Sequence, residues 1–130
     1  DCTRRLAYKL LDWEKTNEGG SSNWSAQVGS AIHKYLADVF ARIEGYEVEK
    51  RVNIRGNLTG TVDLYDSVRG IVIDWKTTSP NQMDRKRKEG KNPQYFTQIQ
   101  LYGYGMAQTG AKVNQVALVY LPTSGGIDEM

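Results

Sequence analysis

A chain of 130 residues, 39% hydrophobic and 25% charged, can bury one core but is too short to divide into two ordinary domains. Its net charge of +2 excludes polyanion binding by bulk charge, so any such binding must come from local clusters. No apolar run reaches the roughly 18 residues of a membrane span, and the N-terminal DCTRRLAYKL lacks the apolar core of a signal peptide. A lone Cys2 can form no internal disulfide, which fits a reducing, cytoplasmic location. The sequence does not begin with Met and stops at GGIDEM soon after an apolar strand, as a single-domain piece of a longer chain would.

In chain order, Thr3 to about Thr16 predicts an amphipathic helix with Leu6, Leu10, Leu11 and Trp13 facing a core. NEGGSSN is a loop broken by Gly19 and Gly20. A second helix is expected from Ser25, its N-cap, to Glu44, with Val28, Ile32, Tyr35, Leu36, Val39, Phe40 and Ile43 on one stripe and Gly45 as its end. Residues 46–54 alternate weakly and read as a strand. LTGTVDLYD (58–66) and GIVIDWKTT (70–78) alternate with a period near two, as the arms of a hairpin joined through DSVRG. Residues 79–92 form a polar connection far longer than the usual loop of about 4–6 residues, and loops of that size tend to be functional or mobile. A third helix runs from about Pro93 to Thr109, and VNQVALVYLP (113–122) is a final buried strand. The order is α-α-β-β-β-α-β: a three-stranded meander, then a right-handed crossover that lays the last strand parallel to 71–77. The fold class is α/β, a mixed sheet flanked by helices.

Asp63, Asp74 and Lys76 carry the chemistry. With Val68 and Arg69 as the loop of the hairpin, Asp66 opposes Ile71 and Asp63 falls opposite Asp74. Two carboxylates about 5 Å apart repel one another, and a divalent cation between them turns that repulsion into ligation. Magnesium suits such a pair, since it is usually held by one or two carboxylates plus waters and phosphate. Asp74 and Lys76 share a face, while Ile71, Ile73 and Trp75 point the other way. The Lys76 ammonium would then orient a water and neutralise charge gathering on phosphorus. Taken singly, each aspartate reads more readily as a solvent-facing strand residue, and Lys76 more readily as the charge partner of Asp74.

Three further groups are ambiguous by themselves. His33 lies on the second helix one turn after Gly29, and a lone helical histidine is more often a half-buried residue than a ligand. Gln98 and Tyr102 share a face of the third helix. There they serve either as the flank of a packed stripe (Tyr95, Ile99, Tyr102, Met106) or as contacts to phosphate or base. The run DRKRKEGKN (84–92) places Arg85, Lys86, Arg87, Lys88 and Lys91 between Lys76 and Gln98 in sequence. Such a run is ordinarily a solvated face, and here also a phosphate-contact surface with Tyr95, Phe96 and Tyr104 near enough to stack on bases.

Together these residues resemble the PD-(D/E)XK nuclease superfamily, and within it the RecB-like exonuclease branch. VGSAIH (28–33) is similar to that branch's G-x-x-x-H helix and GTVD (60–63) to its G-x-x-D strand. IDWK (73–76) is similar to its D-x-K strand and QIQLY (98–102) to its Q-x-x-x-Y helix. Any one of these is weak, and all four in order are specific. The resemblance implies a restriction-endonuclease-like fold and a DNase that uses Mg2+ or Mn2+. It implies His33, Asp63, Asp74 and the Trp75 carbonyl as metal ligands, Lys76 as the catalytic lysine, and Gln98 and Tyr102 on the DNA near the scissile end. Linear ends or single strands of DNA are the expected substrate, helicase or recombination proteins the expected partners, and bacterial or phage recombination and repair the expected setting. Some members of the branch carry an iron-sulfur cluster on four cysteines. Cys2 stands where the first would be, but the other three are missing, so no complete iron-sulfur site can form in this chain. Two rivals stay open: an endonuclease on the same core, and an inactive DNA-binding module of a helicase–nuclease complex.

Overall fold

The computed structural model describes residues 24–90 and 92–125. The helix expected over 3–16, Cys2 and Lys91 lie outside the described residues. Within them the order is α1 (Trp24–Phe40), β1 (Tyr46–Arg55), β2 (Leu58–Asp66), β3 (Ile71–Thr78), α2 (Pro80–Glu89), α3 (Pro93–Gln108) and β4 (Gln115–Pro122). The strands form one sheet in the order β1-β2-β3-β4. The meander is antiparallel, and β4 runs parallel to β3 from Ile71↔Gln115 to Thr78↔Pro122, as the crossover required. None of the described helices is long and apolar enough to cross a membrane.

Two helical expectations need correcting. Ser25 lies inside α1 rather than capping it, and the helix ends at Phe40 instead of Glu44. Its last turn tightens into i→i−3 bonds, Arg42 N–H to the Val39 carbonyl and Ile43 N–H to the Phe40 carbonyl. Nor is its stripe core: no α1 residue is buried, and Tyr35 is 67% exposed. Phe40 anchors the helix, its ring 5.0 Å from Tyr46 and 5.9 Å from Trp75.

The long connection over 79–92 is also not a loop, because residues 80–89 form α2. Ser79 caps it by accepting the Gln82 N–H, and Pro80 stands in the first turn, where a missing N–H costs nothing. Lys86, Arg87 and Lys88 fall in the last turn, where the helix dipole favours cations. What hid this helix was the lack of an apolar stripe; it buries no residue and is held by good helix formers and its caps.

The core gathers Val52 of β1, Val62 and Tyr65 of β2 and Val72 of β3 around Ile99 and Met106 of α3. Glycines let that helix come close. A Cβ on Gly103 would stand 2.6 Å from the Val116 Cγ1, and one on Gly105 2.9 Å from the Val52 Cγ2. Asn92 caps α3 by accepting the N–H groups of Gln94 and Tyr95. The Tyr65 hydroxyl crosses the layer to donate to the Lys112 carbonyl at 2.7 Å, tying the meander to the approach of β4.

The hairpin between β2 and β3 has the expected register, Asp66↔Ile71, but turns over residues 67–70 rather than on Val68 and Arg69 alone. Gly70 closes the turn at φ +69°, its N–H bonded to the Asp66 carbonyl. The Asp66 carboxylate accepts the N–H groups of Val68 and Arg69 and the Arg69 guanidinium, each at 3.0 Å. These bonds, the Arg69 N–H foremost, hold its carboxyl below the ordinary value of 3.8. Its contribution to stability is therefore complete above pH 3.8 and is lost as pH falls through the lower folded value. Asp66→Asn should melt below the wild type at neutral pH, and the gap should close on acidification past pH 3.8 in a series of thermal melts.

Candidate active site

Between β2 and β3 the paired ladder stops at Leu64↔Ile73. One step on, where Asp63 faces Asp74, the strands no longer exchange backbone bonds. Instead the Asp63 Oδ2 accepts the Trp75 N–H at 2.9 Å, doing for β3 what a backbone carbonyl does elsewhere in the sheet. Val62 and Tyr65, three apart, both join the same core cluster, so the alternation of β2 is broken between them. Across on β1, Glu49 takes φ +47° and drops out of an otherwise constant register between Val48↔Leu64 and Lys50↔Val62. The sheet is thus parted and locally strained where the acidic residues meet.

Into that parting reach groups from three elements. From α1, the His33 Nδ1 comes within 3.5 Å of the Asp63 Oδ1. Gly29 permits this approach, since a Cβ there would lie only 3.1 Å from the Thr77 Oγ1 of β3. From β3, Asp74 is 3% exposed, and its Oδ2 is buried without accepting a hydrogen bond. The Lys76 Nζ lies 2.8 Å from that oxygen, an ion contact off hydrogen-bond geometry. Lys76 donates instead to the Gln98 Oε1 of α3 at 2.9 Å and sits 4.7 Å above the Tyr95 ring. Gln98 in turn donates from its Nε2 to the Tyr102 hydroxyl at 2.8 Å. Asp74, Lys76, Gln98 and Tyr102 therefore form one continuous polar chain, with Asp63 and His33 beside its acidic end.

The electrostatics are those of a crowded acidic pair. Burial raises the Asp63 carboxyl above the ordinary aspartate value, and Asp74 pushes it the same way, against the pull of the Trp75 N–H and His33. Among the described residues no three His, Cys, Asp or Glu side chains are gathered tightly enough to hold a metal alone. The structure offers a carboxylate pair with His33 adjoining Asp63, and a buried oxygen on Asp74 left without a hydrogen bond. A buried carboxylate oxygen balanced by a single ion contact is incompletely satisfied. Two crowded carboxylates with such an oxygen are a donor set that a hard divalent cation fits. Trp75 takes part through its backbone N–H, and its ring turns away to stack on Phe40.

Of the basic run, Arg85 pairs with Glu89 and Arg87 with Asp84 along the surface of α2. Lys86 instead lies over two aromatic rings, 5.4 Å from Tyr95 and 4.7 Å from Tyr120. Tyr120 was missed from sequence. Its signal was available in the expected parallel crossover, because in that register it stands beside Lys76. Burial, reinforced by Tyr95, raises its phenol above the ordinary value of 10.0 and so keeps it protonated.

A meander with a parallel fourth strand, helices packed on it, and an Asp–Asp–Lys constellation where the sheet parts together define an α/β fold of the restriction-endonuclease-like kind. The family model of the PD-(D/E)XK nuclease superfamily matches residues 1–128, and the chain belongs to that superfamily. Neither the curated proteins nor the solved structures give a match.

Gly60 makes room for the Tyr102 ring beside this cluster. A Cβ at this position would stand 2.5 Å from the Tyr102 Cε1. Gly60→Ala should drive the Tyr102 ring off β2, break its bond to Gln98 and loosen Lys76. A displacement of about 1 Å can cost about 10²-fold in rate. The expected result is a loss of that order in nuclease turnover, larger than that of Tyr102→Phe, which keeps the ring in place.

Proposed function

We propose that this nuclease is a DNase that depends on Mg2+ or Mn2+ and works from ends or on single strands, in the manner of the RecB-like exonucleases. The observation that carries the reading is the buried Asp74 carboxylate beside Asp63 where the sheet parts, its Oδ2 held only by an ion contact with Lys76. Asp63 and Asp74 would hold the cation, with His33 and the Trp75 carbonyl as further donors. A divalent cation bound there supplies Lewis-acid polarisation of the scissile phosphate and lowers the pKa of the attacking water. Lys76, steadied by Gln98 and by the Tyr95 ring, orients that water and offsets the negative charge that builds on phosphorus during in-line attack. Gln98 and Tyr102 bind the strand at the mouth of the site, and α2 contributes phosphate contacts through Arg85, Lys86, Arg87 and Lys88. Helicase or recombination proteins are the partners that suit such an enzyme, in a cytoplasmic setting.

The test is digestion of end-labelled single-stranded, duplex and closed circular DNA with Mg2+, with Mn2+ and with chelator. Degradation of linear or single-stranded DNA with metal, circles left intact, and no product in chelator are expected. Cut circles would mean an endonuclease, and binding without any cutting would mean an inactive module. Metal has a thermal signature as well. A ligand at 100 times its Kd adds about 2.7 kcal/mol to stability, so saturating Mn2+ should raise the melting temperature of the wild type and leave Asp74→Ala unmoved. Because burial raises the Asp63 carboxyl, protons should compete with Mn2+ at a higher pH than at an ordinary aspartate. Melts with and without Mn2+ across a pH series would show the gain shrinking early on acidification.

A further inference from the structure

Beside the site, α2, α3 and β4 line an open cavity of about 430 Å3. This lies within the range of about 300–1,000 Å3 typical of small-molecule sites. Its walls are Met83, Ile99, Val116 and Leu118 with the rings of Phe96 and Tyr120. Lys86, Arg87 and Gly90 also line it, and among the described residues no acidic side chain does. An apolar cavity bordered by rings and cations is complementary to a base carrying its own phosphate. The cavity is also coupled to the catalytic lysine. Lys76 and Lys86 lie over the same Tyr95 ring, at 4.7 and 5.4 Å, and Lys86 reaches on to Tyr120, which flanks Lys76 in the sheet.

We infer that this cavity receives one unstacked base of the DNA strand, close to the phosphate being cut, with Lys86 and Arg87 on the adjoining backbone. The inference rests on the DNase reading above and deepens it by naming what the substrate must present. A paired base cannot enter the cavity, so the strand must be single or frayed at that nucleotide before it is cut. Tyr120 and Phe96 are then base contacts at the wall of the cavity.

An abasic scan tests it. A short single-stranded oligonucleotide, with one base removed at each position in turn, is titrated with the wild-type protein in chelator by fluorescence anisotropy, and its cleavage is followed with Mn2+. One position should lose about tenfold or more in affinity, the scale of a single base–aromatic stack. Phe96→Ala, a truncation at a partly exposed site, should weaken the intact oligonucleotide similarly, and removing the sensitive base should then cost nothing further. Val116→Phe, which fills the cavity, should behave alike, with circular dichroism confirming that both variants are folded. A scan with no sensitive position, or a sensitive position unchanged in both variants, overturns the inference. Normal hydrolysis with a flat scan refutes the pocket alone, whereas failure of the wild type to cut any DNA refutes the DNase reading.

Discussion

Lys76→Ala and Asp74→Ala should each lower DNA cleavage by at least about 10²–10³-fold, the usual loss when one charge-stabilising group leaves an active site. The two variants should nonetheless part company in stability. Asp74→Ala relieves the crowding at Asp63 but takes the counter-charge from Lys76, which keeps its bond to Gln98, so the metal-free protein should melt only slightly below the wild type. Lys76→Ala removes the only cation within 4 Å of that oxygen among the described residues and leaves Asp74 facing Asp63 unrelieved. Breaking a buried ion pair costs up to about 3–5 kcal/mol, and the partial exposure of Lys76 reduces this here. Mn2+ should restore the lost stability to Lys76→Ala without restoring turnover. Wild-type-like cleavage by either variant would remove both residues from the mechanism.

The largest loss of folding stability is expected at Met106. It is 0% exposed on α3, in the cluster formed by Val52, Val62, Tyr65, Val72 and Ile99. Met106→Ala should cost about 2–5 kcal/mol, the range for deleting a long apolar side chain from a closed core. Collapse into the space is hindered because the helix already touches its neighbours at Gly103 and Gly105. Against a total of about 5–15 kcal/mol for an ordinary domain, such a loss is large. Urea unfolding should show a lower midpoint with the slope unchanged.

Much of this architecture was legible because it is written in local patterns. The period of two over 58–66 and 71–78, with turn residues between, fixed the hairpin and put Asp66 across from Ile71. The order of helix and strands then forced β4 to run parallel to β3. The residues expected to meet do meet: His33 with Asp63, Asp63 with Asp74, Asp74 with Lys76, and Lys76 with Gln98.

What escaped was whatever the hydrophobic pattern does not encode. Residues 80–89 have no apolar face, so periodicity was silent, although Ser79-Pro80 at their start and Asn92-Pro93 after them are N-terminal signals of two successive helices. The stripe on α1 promised a buried face, yet Tyr35 and Ile43 stay exposed among the described residues. The break in alternation at Asp63, and the left-handed Glu49 across from it, are tertiary adjustments that no period of two can anticipate. The clearance of Tyr102 over Gly60 is likewise a contact between segments distant in the chain.

Trp75 gives this nuclease an optical reporter of its own centre. Its amide is bonded to the Asp63 carboxylate, its neighbours in sequence are Asp74 and Lys76, and its indole lies against Phe40. Trp24, by contrast, is 67% exposed and should emit at longer wavelength. Uptake of a divalent cation by the acidic pair should therefore be readable in native, unlabelled protein as a change in tryptophan emission that Trp75→Phe abolishes, before a single bond in DNA is cut.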